Sequence, residues 1–433
     1  MNDFEQFDVA IVGGGIAGLS LSMFLKQQGI GSVILEKSHR TGGKAWSLNL
    51  EGNLIEMGAC YLARDYQEVA ALAHAFGVGT RRLGESDAEP GSIVGRFYKA
   101  TIPGRLAQAA GLLWNLQRYA RRRRKALARF EAKDRATCAA LAAPAAEWLA
   151  SEGCQGLQAL FVLLIDRFGY GPMISIPALY ALRWMTPALI MTAILRDTRQ
   201  LDAGFGEVTR RMAEAADVRL ESPLTAAVRE GDGRWRISTC NGDIVVRDVA
   251  VACAPGAPEL LELFDVNRRG VLQHNSRSTL YGCALVTARN WFETDQRACM
   301  KDGDHRDQLL AVRREGPSAS GAAYYACYLY PSTADPAHIE QVLRRELQVR
   351  GAELVDILEI HCATDYLTHI DSAAIASGRY FELEDGQGHD NVWLCNSLLA
   401  HENWRDLLVL SRKTADQIAR SRPTPQHTGP ARR

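Results

Sequence analysis

Residues 7–44 read FDVAIVGGGIAGLSLSMFLKQQGIGSVILEKSHRTGGK. Residues 8–12 form a short apolar run, the pattern of a buried parallel strand. The turn Gly13-x-Gly15-x-x-Gly18 follows, with Ile16 and Ala17 opening a helix. In such a turn the first glycine allows the tight bend, the second lets backbone amides approach a pyrophosphate, and the third lets the helix pack closely on the strand. The positive end of the helix then points at the phosphates. Gly29 is a suitable helix stop before a second strand at residues 32–35, and Glu36 follows with Lys37. That spacing suits a carboxylate that accepts hydrogen bonds from a ribose. A free 2′-hydroxyl suits the carboxylate and a 2′-phosphate would be repelled, so the expected ligand is FAD or NAD rather than NADP. A chance glycine-rich turn would not come with strand, helix, second strand and acid in this order.

The next residues separate the two dinucleotides. Glu36 leads into Arg40, Thr41, Gly42, Gly43 and Lys44, and residues 55–59 read IEMGA. The first stretch resembles the Glu-x3-Arg-x-Gly-Gly-(Arg/Lys) signature of the flavin-dependent amine oxidase and phytoene desaturase superfamily. The second, with Gly58 and Ala59, resembles the segment of that superfamily that passes under the flavin. The resemblance implies FAD as cofactor and gives Gly42 and Gly43 a close approach to it. The Lys44 cation is expected to offset diphosphate charge.

Length and composition agree with such a protein. A chain of 433 residues with 47% hydrophobic residues can bury two lobes. Formal net charge is zero, so nothing overall points to nucleic acid or acidic lipid. The start, MNDFEQFD, is acidic and runs straight into the first strand, so no signal or transit sequence is expected. The longest apolar runs are too short to span a bilayer. Ten cysteines without a CxxC pair suggest reduced thiols and a cytoplasmic setting, and ten histidines without an HxxxH or HExxH cluster indicate no metal site.

Along the chain, residues 85–199 read as mainly helical and residues 217–255 as strands, with alternation at 234–239 and an apolar run at 244–253. Strands and helices alternate over about 270–375, including an aromatic strand with Tyr324, Tyr325, Tyr328 and Tyr330. A final strand near 391–397 precedes a helix at about 404–420. The expected class is α/β: a Rossmann-type FAD-binding domain of the amine oxidase fold, with an inserted mixed α+β substrate domain. The FAD domain is discontinuous (1–84, 200–265 and 380–421), the substrate domain occupies 85–199 and 266–379, and residues 422–433 form a disordered tail.

Beyond the cofactor signature, residues 168–172 (FGYGP) and 176–182 (IPALYAL), with the pattern around Asn391, Val392 and 397–410, resemble one branch of the superfamily. That branch holds the β-cyclopiazonate dehydrogenase-like proteins and the bacterial polyenoic fatty acid isomerases. The resemblance also implies that the Leu224 backbone holds the adenine. Two departures stand out. The superfamily usually closes its FAD lobe with Ala-Gly-Glu or Ala-Gly-Asp, whereas this chain has Cys395, Asn396 and Ser397. Asn396 is expected to take a left-handed conformation in place of glycine, and Ser397 brings no charge. Amine oxidases place a lysine beside the flavin, but residues 278–285, where it is sought, contain none; beyond Lys133 the chain has only Lys301 and Lys413.

The implied activity is FAD-dependent hydride removal, a C–N or C–C dehydrogenation, from a largely apolar small molecule, with specialised metabolism as the expected setting. Candidate pocket residues are Tyr180, Trp184, Tyr281 and Tyr325, each of which also reads as ordinary core packing. Glu402 is a possible acid near the closing turn, with an exposed helix acid as the plainer reading. Redox-neutral double-bond isomerisation of a polyunsaturated fatty acid is an alternative that the missing lysine suits. A flavin-binding partner without catalysis of its own is another, and a homodimer is compatible with either. Residues 118–125, RYARRRRK, behind Leu112, Leu113, Trp114 and Leu116, suit a basic amphipathic helix in weak contact with an anionic membrane surface through Arg121, Arg122, Arg123, Arg124 and Lys125. A solvated face countered by Glu131 and Asp134 is the plainer of the two readings.

Overall fold

The computed structural model describes residues 4–83, 86–88, 102–166, 168–171, 173–195, 197–299 and 306–422. The apolar run near the N-terminus forms the strand Glu5–Val12, the centre of a seven-stranded sheet. Ser32–Leu35 and Gly242–Val251 flank it in parallel, and Val392–Leu394 pairs in parallel with Gly242–Val251. Trp235–Thr239 and Leu224–Arg229 extend the sheet as an antiparallel ribbon, and Asp217–Arg219 closes its other side. Val9, Ala10 and Ile11 are fully buried, because helices cover one face and a mixed layer covers the other, as parallel strands require.

Register decides where the site lies. Val12 pairs with Leu35 and with Val251, and Val251 pairs with Leu394. Four parallel strands therefore end level, and the residues that follow them (Gly13, Glu36, Ala252 and Cys395) share one edge. Ligands of open parallel sheets bind at this carboxyl edge.

The second sheet is mostly antiparallel. Its order is Glu353–Ile370, Ser276–Arg289, Ala323–Leu329, Leu309–Pro317, Gln296–Ala298 and Ser86–Ala88. The strand Ala323–Leu329 is buried throughout. Tyr324 and Tyr328 pack with Met57, Cys60 and Cys283 on one face, while Tyr325 and Cys327 pack on the other near Ile339 and Leu343 of the helix Pro336–Val349. A helical layer of Ile102–Glu131, Arg135–Ala142, Ala145–Ser151, Gln158–Ile165, Ala178–Trp184 and Pro187–Leu195 shares one hydrophobic core with the first sheet. The last helix, Trp404–Arg420, is capped by Asn403 and packs on the first helix, Ile16–Gln27; Ser411 Oγ donates to the Ala17 carbonyl at 3.0 Å. Among the described residues no single helix is long and apolar enough to cross a membrane.

Of the residues expected in the tail, Arg422 alone is described, and it is part of the fold. Arg422 is held by Asp8 at 3.0 Å, and residues 423–433 lie outside the described part, as do Lys301 and Pro172.

Candidate active site

One cavity of about 1510 Å³ runs from the carboxyl edge of the first sheet to the face of the second. At its first end, the Glu36 carboxylate is buried and fixed by two backbone amides. Gly14 N–H donates to Oε2 at 2.7 Å and Ser38 N–H to Oε1 at 2.8 Å. Each oxygen keeps a lone pair for a ribose hydroxyl. The glycines divide their work. A Cβ at Gly18 would stand 2.0 Å from the Gly13 carbonyl oxygen, so Gly18 serves the helix–strand contact. A Cβ at Gly15 would meet nothing within 4 Å. Gly15 is the N-cap of the first helix, and the space beside it belongs to the cavity. This amide cradle, with helix dipole and carboxylate, fits the diphosphate and ribose of FAD. Gly42 N–H donates to the Gly14 carbonyl at 2.8 Å, which brings the second glycine pair against the first turn. Lys37, Ala17, Ala59 and Leu224 also line this end.

Lys44 lies further along. Its ammonium pairs with Glu402 at 2.8 Å and Asp365 at 3.3 Å and donates to the Asp365 carbonyl at 3.0 Å. Burial works against its charge, but the two carboxylates outweigh burial and hold its pKa above the ordinary lysine value. Burial pushes the Glu402 carboxyl up, with Lys44 opposing. Gly58 is required here, since a Cβ would stand 2.0 Å from the Lys44 carbonyl oxygen. Glu402 sits in the loop before the helix cap Asn403 and its side chain is nearly buried, so it is not an exposed helix acid.

The far half of the cavity is an aromatic chamber. Tyr281 stacks on Tyr366 (centroids 4.7 Å, 20° between planes), Tyr366 on Tyr170 (5.4 Å, 8°), and Tyr170 meets Trp184 edge-on at 4.6 Å. Tyr328 and Phe168 complete the wall, with Tyr61 anchored on Gln296 at 2.9 Å. Burial raises the hydroxyls of Tyr170, Tyr281, Tyr328 and Tyr366 well above the usual tyrosine range, so all four stay neutral. Gly169 sets the position of Tyr281: it has φ +73°, and a Cβ there would overlap the tyrosine ring at 1.9 Å. The charged lining residues are Glu36, Lys37, Arg40, Lys44, Glu259, Asp365 and Glu402. Of these the paired cluster of Lys44, Asp365 and Glu402 borders the chamber: the Lys44 ammonium lies 5.9 Å from the centre of the Tyr366 ring, and the Tyr170 hydroxyl donates to the Glu402 carbonyl at 3.2 Å.

Comparison with known proteins decides the family. The model of the flavin-containing amine oxidoreductases matches residues 16–342. This chain belongs to that family. FAD is the cofactor of this flavin-containing family. A flavin-containing amine oxidase of Oncorhynchus mykiss is 32% identical over 102 residues, 23% of this chain and 20% of that protein. The curated relatives are thus matched over about a fifth of their length. Among solved structures, the CLA-producing fatty acid isomerase from P. acnes superposes with TM-score 0.78 at 20% identity, covering 95% of this chain and 98% of that one. Putrescine oxidase bound to putrescine superposes with TM-score 0.67 at 15% identity, covering 96% and 99%. These likenesses show the amine oxidase fold.

Within this family member, the expected site residues separate into three groups. Gly13, Gly15, Ile16, Ala17, Glu36, Lys37, Gly42, Gly43, Lys44, Gly58, Ala59, Leu224, Asn396, Ser397, Trp184 and Tyr281 line the cavity, with Gly18 packed behind it. Tyr180 does not reach it: its hydroxyl donates to the Leu398 carbonyl at 2.8 Å and accepts from Ile370 N–H at 3.0 Å, so it is a core brace. Tyr325 faces away, its hydroxyl on the Phe292 carbonyl at 2.9 Å, because strand alternation turns Tyr324 and Tyr328 to the opposite face, where Tyr328 lines the cavity. Asn396 is not left-handed. Its amide donates to the Cys253 carbonyl at 2.7 Å while its oxygen accepts from Leu398 N–H at 3.1 Å, a side-chain clasp that closes the turn without positive φ. Ser397 spends its hydroxyl on the Thr368 carbonyl at 2.9 Å. Tyr366, Tyr328, Tyr61 and Arg40 are lining residues the sequence did not single out as functional. Arg40, in the signature itself, donates to the Gly43 carbonyl at 3.1 Å and lies over Trp46.

Proposed function

We propose that this protein removes a hydride from an uncharged, largely apolar small molecule held in the aromatic chamber. The observation that carries this reading is the charge distribution along the cavity. At the edge of the chamber the charges of Lys44, Asp365 and Glu402 are paired with one another, and beyond them the lining around Tyr281, Trp184 and Leu189 is aromatic, aliphatic and neutral polar. An ammonium or carboxylate placed there would lose its water without gaining a counter-charge. Bound FAD supplies the hydride acceptor. The chain's own part is to hold the substrate flat against the stacked tyrosines, to exclude water, and to offer neutral hydroxyls for orientation. No lysine stands on the strand Ser276–Arg289, which agrees with a substrate other than an amine.

A second reading, redox-neutral double-bond isomerisation, is favoured by that same strand and by the likeness to the fatty acid isomerase. One experiment separates the readings. Anaerobic mixing of the purified holoenzyme with neutral allylic compounds, polyunsaturated fatty acids and primary amines is followed by flavin absorbance, then by oxygen uptake in air. Bleaching by neutral compounds, with peroxide formed in air, supports dehydrogenation. A change in substrate absorbance without oxygen uptake supports isomerisation. Bleaching by amines alone would overturn the proposal.

A further inference from the structure

We propose that the exposed face of the helix Ile102–Glu131 docks on an anionic lipid bilayer. This thirty-residue helix carries eight cations and a single acid, its last residue Glu131, in a chain whose overall charge is zero. Its buried side is fixed: Leu116, Tyr119 and Phe130 are in the core, the Tyr119 hydroxyl donates to the Met185 carbonyl at 2.5 Å, and Arg123 Nε donates to the Leu182 carbonyl at 2.5 Å. That leaves Trp114, Arg118, Arg121 and Lys125, at successive spacings of four, three and four, as one exposed stripe. Arg124 lies beside it. Trp114 is 67% exposed and Leu113 53%.

A merely solvated helix face would carry acids three or four positions from its cations, since like charges at that spacing destabilise a helix. Here the nearby acids answer only two of the helix's cations. Asp134 pairs with Arg129 at 3.0 Å and caps the next helix, and Glu152 pairs with Arg122 at 3.3 Å. Arg118, Arg121, Arg124 and Lys125 have no ion-pair partner among the described residues. Unpaired cations behind an exposed tryptophan and leucine match an anionic surface with an apolar interior. A nucleic acid or acidic protein would answer the cations but not the exposed Leu113 and Trp114. The location is also apt. The helix packs on Pro187–Leu195, which gives Leu189, Thr192 and Ala193 to the cavity wall, so an apolar substrate dissolved in the bilayer would lie beside the chamber.

The test uses flavin-loaded full-length protein sedimented with phosphatidylcholine vesicles with and without phosphatidylglycerol. Wild type is expected to bind only the anionic vesicles and to be released by salt. The double variant Arg121→Glu, Lys125→Glu is expected to bind at least about 25-fold more weakly, at roughly fivefold per cation. Trp114→Ser is expected to bind more weakly and to lose fluorescence quenching by brominated lipid. Both variants should keep the flavin spectrum and melting temperature of wild type, because the altered side chains are exposed. The proposal is overturned if wild type ignores anionic vesicles, binds pure phosphatidylcholine equally well, binds immobilised heparin but no vesicle, or if the double variant binds as wild type does.

Discussion

At the scale of single residues, two carboxylates show how burial and partners set different tasks. Glu36 has one amide on each oxygen. A glutamine there must turn its NH2 toward one of those amides, so Glu36→Gln loses a charge-assisted bond and creates a donor–donor clash. Each such bond contributes about 1.5–3 kcal/mol, so FAD binding should weaken at least about tenfold in Glu36→Gln and in Glu36→Ala, read by titrating apoprotein with FAD. Full flavin content in purified Glu36→Ala would remove the ribose role. Glu56 is different: burial pushes its carboxyl up to about 7, although Ser47 Oγ (2.5 Å) and Phe205 N–H (2.9 Å) favour the ionised form. The ordinary value is 4.5. The folded state therefore binds the proton more tightly than the unfolded chain, and this stabilisation is present in acid and lost as pH rises through about 7. The loss is up to about 3 kcal/mol. Glu56→Gln should flatten that part of the profile, so that its melting temperature relative to wild type rises between pH 5 and pH 8. An unchanged difference across that range would show that Glu56 does not titrate there.

At the scale of elements, the first turn separates folding from binding by two glycines three residues apart. Gly18→Ala forces a methyl against the Gly13 carbonyl, where no side chain can yield. It should lower the melting temperature of the apoprotein. Gly15→Ala meets no protein atom, and the backbone at Gly15 (φ −76°, ψ −177°) suits alanine. It should leave the apoprotein's melting temperature within about 2 °C of wild type, since surface-like changes usually stay within ±0.5 kcal/mol, while weakening FAD binding at least tenfold. Equal effects of the two substitutions on apoprotein stability would contradict this division. This unit was legible in the sequence because strand, turn, helix and acid are consecutive and obey local rules. The chamber was not. Tyr366 and Tyr281 meet through a strand pair whose register shifts between Thr279–Tyr366 and Tyr281–Ala363, and such bulges leave no mark in an aromatic count. Tyr325 was misplaced for a related reason: its strand is buried on both faces, so polarity cannot say which face meets the cavity. The burial of Glu402 depends on how the loop before the last helix docks over Lys44, which no local pattern in the sequence shows.

At the scale of the whole molecule, the two sheets meet across one cavity, and the cofactor's expected place spans their junction. The first sheet offers Gly15 and Glu36, the loop after the last parallel strand offers Asn396, and the second sheet offers Tyr281 and Tyr366. A ligand that touches all of these binds the folded chain and not the unfolded one, so it must stabilise the fold by mass action. At a free FAD concentration one hundred times Kd the gain is about 2.7 kcal/mol. For a chain of this size that corresponds to a rise of roughly 2–4 °C in melting temperature, and each further tenfold in FAD adds about 1.4 kcal/mol. The dependence on concentration is the diagnostic part. Apoprotein melted with increasing FAD should give a steadily rising midpoint, and Gly15→Ala should trace the same curve displaced to at least tenfold higher FAD. A rise that saturates at stoichiometric FAD in both proteins would mean the cofactor is trapped kinetically rather than held at equilibrium. No rise in either would mean that the residues gathered at this junction do not hold FAD.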